Sequence, residues 1–66
     1  MGKYTWLSIE DSVMRGYIQR NNSKSSKEIA EIIANDKPVE LKPHRYDGTA
    51  IYQHVCYLRR EMKGVA

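Results

Sequence analysis

Arg59, Arg60, Gln53 and Tyr52 are the residues of this 66-residue chain best equipped for recognition chemistry. Arg carries a planar fork of donors that pairs with guanine O6 and N7, and the Gln amide matches adenine N6 and N7. Their spacing gives them a common direction. At about 100° per residue, a helix over Thr49–Lys63 gathers Thr49, Tyr52, Gln53, Cys56, Arg59, Arg60 and Lys63 on one side. The same rotation sets Ile51, Val55, Leu58 and Met62 on the opposite, apolar side. Glu61 falls off the polar stripe, which therefore carries no acid. A solvated helix face normally mixes acids with bases. One that instead combines cations with amide, hydroxyl and aromatic groups suits the major groove of double-stranded DNA. Residues near the N-terminus of such a helix reach bases, which assigns Thr49, Tyr52, Gln53 and Cys56 to base reading. Arg59, Arg60 and Lys63, farther along, are placed to hold phosphates.

The charge distribution agrees. Net charge is +3. Residues 1–41 balance Lys3, Arg15, Arg20, Lys24, Lys27 and Lys37 against Glu10, Asp11, Glu28, Glu31, Asp36 and Glu40. Residues 42–66 set Lys42, Arg45, Arg59, Arg60 and Lys63 against Asp47 and Glu61, so the whole surplus lies in the terminal third. That asymmetry favours an anionic partner. His44, Arg45 and Lys42 precede the basic helix and are read either as an arm gripping phosphate or minor groove, or as a solvated loop. Lys24 and Lys27 flank Ser25 and Ser26, at a helix N-terminus where free amides and the dipole suit a phosphate.

Other chemistries find no residues. Cys56 with His44 and His54 matches no zinc-ligand spacing, and no cofactor is implied. No Gly-rich phosphate loop, no Ser/His/Asp set and no paired buried carboxylates stand out, so an enzyme is not expected. Glu10, Asp11 and Glu28 are assigned to helix caps. His54 lies at the margin of the apolar stripe and is read as a half-buried structural histidine. A chain this short buries only about 60% of its unfolded surface, which permits one modest core and no deep pocket for a small-molecule substrate. One cysteine forms no internal disulfide, no apolar run approaches the roughly 18 residues of a membrane span, and no signal segment opens the chain. A soluble intracellular protein is expected: cytoplasmic and nucleoid-associated in a prokaryote or virus, nuclear in a eukaryote.

Three helices must position these groups, and the expected fold is all-α over a single domain, 1–66. The first spans 8–21. Ser8-Ile9-Glu10-Asp11 suggests a capping box, followed by an apolar face of Ile9, Val13, Met14, Tyr17 and Ile18. Gly16 within it predicts close packing against a neighbouring helix. The second spans 25–35, capped by Ser25 or Ser26 with Glu28, and carries Ile29, Ala30, Ile32 and Ile33 before Pro38 stops it. Segment 36–47 shows no helical period and is read as an ordered loop or minimal edge strand. The third spans 48–63, with Asp47 or Thr49 as its N-cap and Gly64 ending it. Trp6, Val13, Met14, Ile29, Ile33, Ile51, Val55 and Leu58 are expected to share one core. Tyr17 and Tyr57 are placed at its edge with their hydroxyls in water.

A short second helix followed by a longer basic third one is the order of a helix-turn-helix. Trp6-Leu7-Ser8-Ile9-Glu10-Asp11 resembles the Trp-x-x-x-Glu-Asp opening of Myb/SANT-type domains. Met14 and Ile18, then Ile29-Ala30, then Ala50-Ile51, Val55 and Leu58 are similar to the apolar positions of that family's three helices. Two features differ from the family: Trp6 is the only tryptophan, and Asp36–Asp47 is longer than the family's turn. A sigma-factor-like or phage-regulator helix-turn-helix is the related alternative. Three residues after Lys63 leave no sequence for a wing.

The resemblance implies sequence-specific DNA binding by a small transcriptional regulator. The size and class of the domain suggest a phage or mobile-element gene, and a module contacting so few base pairs is expected to act as a homodimer or with a partner regulatory protein. The rival is a trihelical module whose Tyr/Arg/Gln face docks on a transcription factor or host enzyme, since Tyr and Arg also dominate interface hot spots.

Overall fold

The computed structural model describes residues 6–64 and is all-α. Three helices, α1 (Ser8–Arg20), α2 (Ser26–Asp36) and α3 (Ala50–Gly64), pack around one core, and a 3-10 turn, Pro43–Tyr46, lies between α2 and α3. No strand forms among the described residues, so 39–42 is loop. No helix among them is long and apolar enough to cross a membrane.

Each helix start has a local cause. Ser25 and Glu28 form the expected reciprocal cap on α2. Glu28 N–H donates to Ser25 Oγ (3.2 Å), and Ser25 N–H donates to Glu28 Oε1 (3.0 Å). At the other end of α2, Lys37 takes a left-handed conformation (φ 47°) that turns its N–H onto the Ile33 carbonyl, and Pro38 follows. The expected Ser8–Asp11 box is displaced by one residue. Leu7 occupies the cap position, its N–H donates to Glu10 Oε1 (2.9 Å), and Ser8 is already helical. Helix α3 begins after Gly48, whose φ of 58° suits glycine, with Gln53 N–H bonded to the Thr49 carbonyl. Of the two expected caps, Thr49 is the residue that flanks the helix.

The core is Met14 and Ile18 from α1, Ile29, Ala30 and Ile33 from α2, and Ile51, Val55 and Leu58 from α3, joined by Leu41 from the loop. Trp6, Tyr17, Tyr46 and Met62 pack against it from the rim. Two expectations for α1 fail. Val13 is only half-buried and Ile9 is 54% exposed, because α1 turns Glu10, Met14 and Ile18 inward instead. Gly16 does not admit a neighbouring helix: a Cβ there would meet only the end of the Arg20 side chain. The Tyr17 hydroxyl lies at the surface as expected, where it donates to Asp36 Oδ2 (2.9 Å) and ties α1 to the end of α2.

The inward position of Glu10 organises the rest. Its carboxylate is fully buried and accepts four bonds, two on each oxygen. Oε1 receives Leu7 N–H and Arg45 Nη2 (2.7 Å); Oε2 receives Lys42 N–H (3.0 Å) and Arg45 Nε (3.0 Å). The Arg45 guanidinium, which is the largest cause, together with these backbone donors holds the Glu10 carboxyl at about 2, below its ordinary 4.5, against the opposing effect of burial. Arg45 also lies 4.1 Å from the centre of the Trp6 ring, and the opposite face of Trp6 stacks on His54 (3.9 Å, 4° between planes). His54 in turn donates from Nε2 to Asp11 Oδ1 (2.6 Å).

Because the folded carboxyl titrates below the unfolded one, its stabilisation is complete above pH 4.5 and disappears as pH falls toward 2. The difference corresponds to roughly 3 kcal/mol. Urea titrations across that window should show the wild type losing about this much more stability than Glu10→Gln. Arg45→Leu, which leaves a buried carboxylate unpaired, should cost about 3–5 kcal/mol at neutral pH. By contrast, Gly16→Ala should raise stability by up to about 1 kcal/mol in the same assay, as the flexible Arg20 side chain yields.

Candidate nucleic-acid interface

Helix α3 presents its polar stripe to solvent. Thr49, Tyr52, Gln53, Arg60 and Lys63 are exposed, and Cys56 is half-buried between them. The stripe is outward because the opposite flank is committed three ways. Ile51, Val55 and Leu58 enter the core, His54 is held by Asp11 and Trp6, and Arg59 reaches back to the turn between α1 and α2. Glu61 is exposed, yet its place in the helical rotation is beside His54 rather than among the cations.

Within the stripe one side-chain pair is already formed. Gln53 Nε2 donates to Thr49 Oγ1 (3.0 Å), one helical turn back. Cys56, one turn on from Tyr52, raises the pKa of the tyrosine hydroxyl. Arg60 and Lys63 continue the face toward the C-terminus. Lys27, on the first turn of α2, is exposed and comes to the same side. With Glu31, Ala34, Tyr46, Thr49 and Tyr52 it lines a groove of about 480 Å³ between α2 and the start of α3. His44 is exposed on the 3-10 turn and shares a second hollow, about 580 Å³, with Gln53, Asp47 and Tyr57 on the far flank of α3.

Two of the expected contact residues are used elsewhere. Arg45 is 4% exposed, its guanidinium donates to Glu10 and covers Trp6, and it is therefore no arm for phosphate or minor groove. The charge it contributes to the terminal third is neutralised by Glu10. Arg59 is half-buried, and its Nη1 donates to the Lys24 carbonyl (3.0 Å) and Ser26 Oγ (3.2 Å) while Nη2 donates to the Asn22 carbonyl (3.3 Å). It staples α3 to the α1–α2 turn, and that, rather than a phosphate, is its visible partner. The structure thus brings together Thr49, Tyr52, Gln53, Cys56, Arg60, Lys63 and Lys27, with His44 at the edge.

Sequence reasoning missed the residues that aim this face. Glu10 caps α1 as expected but also pairs with Arg45, 35 positions away, and Asp11, read as a cap residue, contacts His54, 43 positions away. Periodicity within one helix carries no signal for such partners. His54 has the structural position expected of it but is buried rather than half-buried, and its stacking on Trp6 is a tertiary fact.

Neither protein-family models, curated proteins nor solved structures give a match to this chain.

The adjacent arginines should behave oppositely in stability measurements. Arg59→Ala removes charged hydrogen bonds to three turn acceptors and should cost roughly 1–3 kcal/mol. Arg60→Ala alters an exposed side chain and should stay within about 0.5 kcal/mol of the wild type. Chemical denaturation of the two variants checks the assignment, and equal losses would refute it.

Proposed function

We propose that this domain binds double-stranded DNA, with α3 in the major groove and α2 bracing it in a helix-turn-helix manner. The observation that carries the reading is the exposed, acid-free stripe of α3, on which Gln53 and Tyr52 precede Arg60 and Lys63 by about two to three turns. Its N-terminal part supplies groups that discriminate base edges, and its C-terminal part supplies point charges for phosphates. Lys27, on the neighbouring helix, adds a third phosphate contact beside the groove. Arg59 is left out of the contact set because its guanidinium is bonded within the fold. A module of this size covers few base pairs, so useful specificity requires a second copy or a partner regulator. The role that follows is that of a small transcriptional regulator.

A docking role for the same face rests on Tyr52. It is 42% exposed at the rim of a groove floored by Ala30, Ala34 and Ile51. Salt separates the two readings, because phosphate contacts release counterions and weaken steeply with salt whereas an aromatic anchor does not.

The test is selection of bound duplexes from a random pool, followed by titrations at rising salt. Arg60→Ala should weaken binding similarly on selected and scrambled duplexes and lower the salt slope by about one. Gln53→Ala should relax the preference at one base pair and leave the salt slope unchanged. Wild-type protein that binds no duplex even at low salt would overturn the proposal.

A further inference from the structure

Gln53 is bonded twice to the same residue. Its backbone N–H donates to the Thr49 carbonyl (2.9 Å), and its side-chain Nε2 donates to Thr49 Oγ1 (3.0 Å). The second bond joins side chains one helical turn apart. Both residues are exposed, so water was available to the amide, and Gln has three rotatable side-chain bonds to lose. A glutamine left free would present its oxygen and nitrogen in either order; this one does not.

We infer that Thr49 is a positioning residue that presets Gln53 to read adenine and to reject guanine, rather than a base contact in its own right. The inference rests on the duplex-binding reading proposed above. A side-chain amide has two N–H donors and an oxygen with two acceptor positions. One N–H of Gln53 is spent on Thr49, which leaves one donor and the oxygen to meet a base pair. Adenine shows the major groove one acceptor, N7, and one donor, the N6 amino group, and the remaining pair matches both. Guanine shows two acceptors, N7 and O6. With a single N–H left, Gln53 satisfies one of them and turns its own oxygen toward the other. An unrestrained amide can offer both of its N–H groups, so the bond to Thr49 is what converts a tolerant side chain into a selective one. Thymine and cytosine present only one hydrogen-bonding group each at this edge and cannot occupy both remaining positions of the amide.

The experiment compares wild type, Thr49→Val, Thr49→Ser, Gln53→Ala and the Thr49→Val/Gln53→Ala double variant. The duplexes are those selected by the wild type, carrying A·T or G·C at the pair whose preference Gln53→Ala relaxes. Thr49→Val keeps the shape and removes the hydroxyl. It should lower the A-over-G ratio at that pair roughly twofold, with the salt slope unchanged. Thr49→Ser should retain the ratio, and the double variant should be no less selective than Gln53→Ala alone. An unchanged ratio in Thr49→Val, or a loss of preference at a different pair, would overturn the inference while leaving duplex binding standing. Absence of any duplex binding by the wild type would overturn the parent reading and this one together. A DNA-free measurement guards against misfolding of the valine variant. In NMR spectra of the free protein, Thr49→Val should shift the Gln53 side-chain amide protons while the backbone amides of α3 keep their positions. Unmoved side-chain amide protons would show that Thr49 does not hold Gln53, and would overturn the inference directly.

Discussion

A carboxylate with no exposure to water must have its charge answered inside the protein, and Glu10 draws its donors from two distant parts of the chain. Leu7 N–H comes from the start of α1, while Lys42 N–H and the Arg45 fork come from the segment before α3. An uncompensated buried carboxylate costs several kcal/mol, a large part of the stability available to a small domain. The segment 37–47 is therefore not free to wander. To deliver Lys42 and Arg45 it folds against the first turn of α1, which carries Leu41 into the core and lets the Tyr46 hydroxyl reach the Pro38 carbonyl. The place where α3 begins follows from that closure.

The same arginine passes the constraint on to α3. Its guanidinium covers one face of Trp6, whose other face meets His54, and Tyr57 continues the sequence of rings at 5.6 Å from His54. Asp11 fixes His54 in the plane of that stack. Helix α3 is thereby held on the α1 flank by His54 and on the α2 side by Arg59, with Val55 and Leu58 between them in the core. Rotation about its axis would break all three attachments at once. The outward stripe of Thr49, Gln53, Arg60 and Lys63 is what remains, so a buried ion pair outside that stripe helps determine where it points.

The parts of this arrangement that depend on neighbouring residues were legible before the structure. The Ser25–Glu28 cap and the 3.6-residue periods of α2 and α3 mark helices within two residues of their observed ends. The face of α3 that carries Ile51, Val55 and Leu58 was equally plain. What failed depends on contacts between distant residues. Ile9 satisfies the helical period of α1 yet stands exposed, because Glu10 claims the inward direction once Arg45 is present to receive it. Leu41, flanked by Glu40 and Lys42 between two prolines, shows nothing locally that distinguishes it from Val39, which is 93% exposed. Arg45 and Arg59 looked like surface cations for the same reason: their composition and position are those of solvated residues, and only the fold reveals the acceptors waiting for them.

Those two arginines also change how the charge of the chain should be counted. The surplus in residues 42–66 suggested five bases turned toward a partner. Arg45 is matched by Glu10, an acid belonging to the balanced N-terminal part, and Arg59 donates to turn oxygens. The cations left outward near the candidate face are Arg60, Lys63 and, from α2, Lys27. On the duplex reading proposed above, about three phosphate contacts imply a salt slope of roughly −3, shallow for a protein that must find one site among many. Electrostatics of that size brings the domain to DNA without holding it there. The hydrogen-bonding groups of α3, or a second copy bound alongside, have to supply the difference. On that reading, a domain with so few outward cations depends on the hydrogen-bonding groups of α3 for its preference among sequences.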